Sequence, residues 1–277
     1  MTGVQHLESD YYRYMGYDPA ASRHALGEYL PYFVDAAPVV ELGSGRGEFL
    51  GLLGEQGVTA YGVDSDEGMV EQARAGGCRV VLGDARTHLQ DAVEPGSVGG
   101  VFAAHFLEHL GPADVEIVMT GVRRALRPGG VFVTAVPNPA CLAVLCYDFW
   151  KDPTHVRFYD PHLIAFFCTR AGLTVEHMGG NPRNTGGPLL GLSAEKTTVD
   201  PALGESVAAA MQRATDPRAE QQDVDTSSPW YDFGHLVATL DERLQRTQHE
   251  LAALRSTYEK LIGQLFQANE VYVVARG

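Results

Sequence analysis

Residues Val39 to Leu50 read VVELGSGRGEFL, and their types suit a ligand with polar or anionic groups. Glu41 closes a short apolar run, and Gly43, Gly45 and Gly47 follow at alternate positions, with Ser44 between the first two. An amphipathic stretch then begins, with Phe49, Leu50, Leu52 and Leu53 able to face a core. Glycine tolerates positive φ and lets a ligand approach the backbone with no Cβ in the way. The free N–H groups and dipole of a helix start favour a polar or anionic group. A glycine turn alone also serves simply to reverse an α/β chain. Two acids make this one specific. Asp64 lies 17 residues beyond Gly47, where a strand-end carboxylate can accept hydrogen bonds from both hydroxyls of a ribose. Asp84, in the phrase Gly83-Asp84-Ala85, stands where an acid beside a free backbone N–H can read adenine. Either acid alone would pass for a helix cap. Together, in register with the glycine turn, they point to an adenosine-bearing ligand.

Such residues need a frame that gathers strand ends. Strands are expected at 39–42, 58–63, 78–82, 98–104 and 131–136, with helices at 46–56, 66–75, 86–91 and 112–126 between them. Pro128–Gly129 is expected to turn the chain into the fifth strand. The alternation implies an α/β fold with right-handed crossovers: a Rossmann-like, mostly parallel sheet with helices on both faces. Its ligand crevice belongs at the carboxyl ends of the strands. Glu41, Asp64, Asp84, His105 and Pro137 all fall at or just past those ends. An irregular stretch, 137–160, then leads to a helix at 161–171 and a strand at 173–178.

The domain plan follows. Residues 1–36 form an arm, rich in tyrosine (Tyr11, Tyr12, Tyr14, Tyr17), and a helix at 21–32. The tyrosines are read as stapling the arm to the domain surface, with covering a ligand as the alternative. Residues 37–179 form the core. Residues 180–234, rich in Gly, Pro, Asp, Thr and Ser, read as an insertion or lid with one short helical patch at 204–214. Residues 235–269 form a long helix, and 270–277 hold a last strand, VYVVAR. In that helix Val237, Leu244, Leu251, Tyr258 and Leu265 take heptad position a, and Leu240, Thr247, Leu254, Leu261 and Ala268 take position d. A helix of roughly 50 Å overhangs an ordinary domain, so a homodimer through 235–269 is expected ahead of packing on its own domain.

Composition removes several classes. Across 277 residues, 21 basic and 35 acidic residues give a formal net charge of -14, which argues against nucleic acid and against an electrostatic membrane anchor. A hydrophobic content of 45% is that of a globular protein. Cys78, Cys141, Cys146 and Cys168 show no CxxC spacing, so buried free thiols are expected rather than zinc or disulfides. The N-terminal sequence lacks the pattern of a signal peptide, and the apolar run Ala140 to Tyr147 is too short to span a bilayer. A cytoplasmic location is the expectation.

The ordered phrases ELGSGRGEF, GVDSDEGMV, GDA, FAAHFLEHL and LRPGG resemble the motif series of class I S-adenosylmethionine-dependent methyltransferases. VYVVAR, after the insertion, is similar to that family's seventh, antiparallel strand. The resemblance implies a seven-stranded sheet and S-adenosylmethionine as cofactor. It implies that Glu41, Gly43, Ser44, Gly45 and Gly47 hold the methionine end. Asp64, with neighbouring Ser65, would hold the ribose, and Asp84 with Ala85 the adenine. His105 would lie beside the methionyl group and sulfonium. YYRYM, FWKDPTHVRFY and LFQANEVYVVAR are similar to bacterial methyltransferases of surface-glycan assembly, which act on sugars or on a capping phosphate. This chain departs from the usual Phe-Gly-Pro wording at Phe266 to Ala268.

A saccharide hydroxyl is a poor nucleophile while protonated, so a base near neutrality is useful. His155, in the KDPTH loop, is the first candidate, with Asp152 to orient it and His109 of FLEHL in reserve. Trp150, Arg157 and Tyr159 are the candidate sugar-binding wall, combining an aromatic face with charged and hydroxyl groups. A divalent metal such as magnesium, on Asp152, His155 or Glu108, is the alternative means of acidifying the hydroxyl. A small natural product or a terminal glycan phosphate is the second acceptor reading. A nicotinamide-dependent sugar oxidoreductase or epimerase is the reading from another class, disfavoured because the turn is GxGxG and no YxxxK pair follows.

Overall fold

The computed structural model describes residues 7–185, 229–265 and 267–277. Its seven strands are β1 (Val39–Leu42), β2 (Ala60–Asp64), β3 (Val80–Leu82), β4 (Val98–Ala104), β5 (Leu126–Pro137), β6 (Thr174–Gly180) and β7 (Glu270–Arg276). They form one sheet in the order β3-β2-β1-β4-β5-β7-β6. Neighbours are parallel from β3 through β5, and β7 runs antiparallel to both β5 and β6. All four residues of β1 and the first six of β4 are buried, as central strands covered on both faces must be. Strand order reverses at β1, so the crevice opens beyond β1 and β4, where Glu41 and His105 end up.

Nine helices are described: α1 (Leu7–Met15), α2 (Pro19–Leu26), α3 (Glu48–Glu55), α4 (Glu67–Ala75), α5 (Ala85–Asp91), α6 (Pro112–Ala125), α7 (Phe149–Lys151), α8 (Pro161–Arg170) and α9 (Pro229–Leu265). One sheet face is filled by an aromatic group in which Phe102 meets Phe49, Tyr29 and Phe33 at ring separations of 4.0, 5.4 and 5.6 Å. Leu42, Val63, Met119 and Val122 belong to the cluster on the other face. The chain divides into two units. One runs to Gly187 and resumes at Leu265, and it holds the sheet; the other, Pro188–Gln264, contributes α9 to the described residues. The described members of the heptad stripe, Leu240, Leu244, Leu251, Leu254, Tyr258 and Leu261, are exposed. None of the described helices is long and apolar enough to cross a membrane.

Helix α1, which the sequence reading does not place in the arm, forms where the Asp66 carboxylate accepts the Glu8 and Ser9 N–H groups at 3.2 Å, a cap from a distant element. Three expectations need correction. The helix expected at 21–32 begins earlier, at Pro19 behind the Asp18 cap, and ends at Leu26, with a separate 3₁₀ turn at Leu30–Tyr32. Pro128–Gly129 is not a turn ahead of a strand but an irregular passage inside β5, between the Val98–Leu126 and Gly100–Val131 pairings. The long helix ends at Leu265, so Ala268 leaves the heptad stripe and bridges to Thr185. The helical patch at 204–214 and most of the lid at 180–234 lie outside the described residues.

Candidate active site

The glycine loop is built as its spacing predicts. Gly43, Gly45 and Gly47 have φ of 66°, 49° and 82°, a left-handed region that side-chain-bearing residues avoid. The loop also needs a glycine on β2: a Cβ on Gly62 would come within 2.4 Å of the Ser44 side chain. Gly43 and Ser44 donate their N–H groups to Val63 O, which holds the loop onto β2. Three buried polar atoms around the loop lack a hydrogen-bond partner: Glu41 Oε2, Ser44 Oγ and one Arg46 terminal nitrogen. Burial, reinforced by the charges of Glu48 and Asp64, pushes the Glu41 carboxyl well above its ordinary value. Buried groups of this kind call for a ligand.

Two cavities flank the loop, of about 390 and 450 Å³, and Glu8, Gly43, His105 and His109 line both. The second contains Asp64, Ser65, Asp84 and Ala85. Asp64 Oδ2 accepts the Gly45 N–H at 2.8 Å and Oδ1 accepts the Asp66 N–H at 2.9 Å. Burial raises the Asp64 carboxyl, opposed by these bonds. Asp84 caps α5 through the Arg86 N–H and is also paired with the Arg86 guanidinium, which lowers its carboxyl.

His105 ends β4 with φ of 51°, the only described non-glycine residue in the left-handed region. Its ring lies between two acids, with Nε2 at 2.7 Å from Glu270 Oε2 and Nδ1 at 3.3 Å from Glu108 Oε1. Burial works against the imidazolium, but these carboxylates outweigh it and raise His105 well above its ordinary value. Glu270, the first residue of β7, is 1% exposed. Tyr29 OH and Asn181 Nδ2 donate to its Oε1, and Asn184 Nδ2 donates to its Oε2 at 3.0 Å. Burial would raise its carboxyl, yet His105, Tyr29 and Asn181 bring it down to about 2. Nothing in the sequence pattern singles out Glu270, because its partners come from three separated segments.

The first cavity is also lined by His109, Asp148, Asp152 and His155. The KDPTH loop is held there by Val156 and Arg157, whose N–H groups donate to Glu108 O. The His109 and His155 rings are 4.9 Å apart. Asp152 Oδ1 accepts from the Thr154 N–H and hydroxyl, and its Oδ2 lies 3.9 Å from His155 Nε2. His155 Nδ1 donates to Phe149 O at 2.7 Å, and burial keeps its imidazole below its ordinary value. The histidine and acid predicted to work together are therefore neighbours, with His109 beside them.

The predicted sugar wall does not form. Tyr159 is fully buried, and its hydroxyl donates to Leu110 O at 2.9 Å. Trp150 is 66% exposed, with its indole N–H donated to Leu145 O, and Arg157 stacks on the outer side of Tyr159 at 4.9 Å. None of the three lines either cavity. Tyr12 and Tyr17 of the N-terminal arm do line the first, together with Glu8. The arm is stapled to the domain by Arg46, which lies over the Tyr12 ring and donates to Tyr17 O at 3.1 Å, so the stapling read for the tyrosines is present. Burial and the charges of Asp64, Asp152, Asp66 and Glu108 push the Glu8 carboxyl up to about 8.

A family model described as a methyltransferase domain matches residues 11–178. Among solved structures, a SAM-dependent methyltransferase from Archaeoglobus fulgidus is 22% identical, with a TM-score of 0.65, over 96% of this chain and 97% of its own. A methyltransferase dependent on the same compound, from Mesorhizobium loti, is 18% identical, with a TM-score of 0.51, over 93% and 98%. At these identities the likeness is one of fold. No curated protein matches the chain. The nicotinamide alternative falls with the family match. Since the matched span takes in more than half of the sequence, the chain belongs to the methyltransferase-domain family and is an S-adenosylmethionine-dependent methyltransferase.

Proposed function

We propose that the chain methylates a hydroxyl of a saccharide. The observation that carries the reading is the wall of the first cavity. It presents the acids Glu8, Glu41, Glu48, Asp148, Asp152 and Glu270, with Arg46 as its one arginine, beside Tyr12 and Tyr17. Carboxylates accept hydrogen bonds from neutral hydroxyls, and aromatic rings suit the apolar C–H faces of a sugar. Asp148 and Asp152, beside His155 on this wall, disfavour an anion there, which sets a terminal glycan phosphate behind a neutral acceptor.

S-adenosylmethionine supplies a methyl group on positively charged sulfur, and the residues present fit it. Glu41, Ser44 and Arg46, with their unpaired buried atoms, and the backbone of Gly43, Gly45 and Gly47 would hold the methionine end. A carboxylate offers about four acceptor positions. Asp64 commits one on each oxygen to Gly45 and Asp66 and is also bonded by the Ser65 N–H, which leaves it acceptor capacity for a ribose hydroxyl. Asp84 and Ala85 take the adenine end, and His105 stands between the two cavities. The His155–Asp152 pair takes the acceptor's proton: burial lowers the His155 imidazole below its ordinary value, its Nδ1 is committed to Phe149 O, and its Nε2 lies 3.9 Å from Asp152 Oδ2. His109 is the reserve base.

The exposed stripe on α9 supports a homodimer through a second copy of the same helix, because six large apolar side chains at heptad spacing are exposed on it. Screening purified protein against a panel of neutral, amino and phosphorylated saccharides for S-adenosylhomocysteine release tests the main reading. Release with neutral sugars is expected. Release confined to phosphorylated sugars, or to small non-sugar acceptors, would overturn it.

A further inference from the structure

Glu108 is fully buried on the 3₁₀ turn Leu107–His109, and neither of its carboxylate oxygens has a hydrogen-bond partner. A buried carboxylate is costly unless something positive meets it, and the His105 ring, 3.3 Å from Oε1, answers only one of the two oxygens. One donor atom each from Glu108, His109 and His155 lie within 4.8 Å of one another. We propose that these three side chains bind a divalent first-row transition ion at the acceptor end of the cavity. The proposal deepens the saccharide reading and rests on it for the identity of the acceptor.

The hydrogen bonds around the histidines point the same way. His155 Nδ1 faces a carbonyl, Phe149 O, and must carry the proton. The Thr154 hydroxyl gives its single hydrogen to Asp152 Oδ1, so it accepts from His109 Nδ1 at 2.9 Å. Both imidazoles therefore carry their proton on Nδ1, with the Nε2 lone pair free. Metal-binding histidines are set up in this way, with the second nitrogen donating to a carbonyl or a polar side chain. Two imidazoles and one carboxylate suit manganese, iron, cobalt or zinc better than magnesium, which prefers an all-oxygen set. The ligand set also differs from that read in the sequence: His109 joins Glu108 and His155, while Asp152 stands in the outer shell through Thr154. His105 borders the cluster through Glu108.

An ion here would leave coordination positions open toward the first cavity, which His109 and His155 line. It would polarise the acceptor O–H, whose proton passes to Asp152 Oδ2. The oxygen lone pair then forms the C–O bond to the methyl carbon, and the C–S electron pair stays on sulfur, which leaves as a neutral thioether. Within the His155–Asp152 pair, the acid is then the group that takes the proton.

The test uses the full chain, stripped with chelator, desalted and titrated with Co²⁺ alone, with binding followed by visible absorption and by metal analysis after gel filtration. One ion per chain is expected. Glu108→Gln and His109→Ala should each weaken binding about 100-fold or more, while His162→Ala, an exposed histidine on α8, should bind as the parent does. A melting curve of each variant without metal separates lost ligands from lost fold. Co²⁺ retained equally by Glu108→Gln and His109→Ala, or no retention by the folded parent, would overturn the site. The saccharide panel run with and without chelator separates the two readings. Unchanged release in chelator with no ion bound sinks the metal and leaves the acceptor. A bound ion with no saccharide turned over sinks the acceptor and leaves the metal.

Discussion

Glu270→Gln is the substitution that most directly probes how the site is held. The carboxylate receives His105, Asn184, Tyr29 and Asn181, and is 1% exposed. Its carboxyl falls from 4.5 to about 2 in the folded protein. At about 1.4 kcal/mol per unit of pKa, that difference contributes about 3 kcal/mol to stability at neutral pH. Glutamine keeps one acceptor but removes the charge facing His105 and turns an N–H₂ toward donors, so a loss of about 3 kcal/mol is expected. For a folded unit of this size that is a fall in Tm of about 6–12 °C. The sign with pH follows from the depressed value. The Glu270 contribution is full above pH 4.5 and is lost as pH falls toward 2, so parent and variant should converge on acidification. The raised pKa of His105 acts oppositely: its contribution is full below about pH 6.5 and fades as pH rises through its folded value. Thermal melts at pH 7 and pH 3 read the result. A variant melting within about 1 °C of the parent at pH 7, or an undiminished gap at pH 3, would refute the reasoning.

Other changes test the remaining assignments. Asp64→Ala should weaken S-adenosylhomocysteine binding at least about tenfold by calorimetry and cost about 1–2 kcal/mol, since the N–H groups bonded to it lose an acceptor; unchanged affinity would remove Asp64 from the ribose. His155→Ala should lower turnover about 100-fold or more with cofactor affinity preserved, and near-normal turnover would clear it of any role in the reaction. Leu251→Glu combined with Leu254→Glu should shift the protein to a monomer on sizing. A parent that already elutes as a monomer would end the helix-pairing proposal.

The sheet and the geometry of the glycine loop with its strand-end acids were legible because they are written locally. A strand, three alternating glycines and a helix start occupy twelve consecutive residues, and each acid ends its own strand, so spacing alone reports the geometry. The acceptor end is written non-locally. Tyr159 and Trp150 are as aromatic as any sugar wall requires, but which one faces a cavity depends on how the 152–157 loop hangs from Glu108 O, and composition carries no trace of that. Helix α1 was illegible for the same reason, since its cap, Asp66, lies 57 residues away from Ser9. Glu270 reads as one polar residue ahead of an apolar strand. Only the return of β7 between β5 and β6 shows that it faces His105.

That return has a consequence for how the molecule can vary. Asn184 and Asn269, 85 residues apart in sequence, are joined by an Asn269 N–H to Asn184 O bond of 2.8 Å, and Thr185 bridges Ala268 beside them. The chain therefore leaves and rejoins the sheet through one clasp, with the excursion attached at both ends next to the cavity. Closing such a loop depends only logarithmically on its length, so a doubling costs about 0.6 kcal/mol. Changes of length beyond the clasp therefore cost the sheet little as long as the Asn184–Asn269 and Thr185–Ala268 pairings are kept.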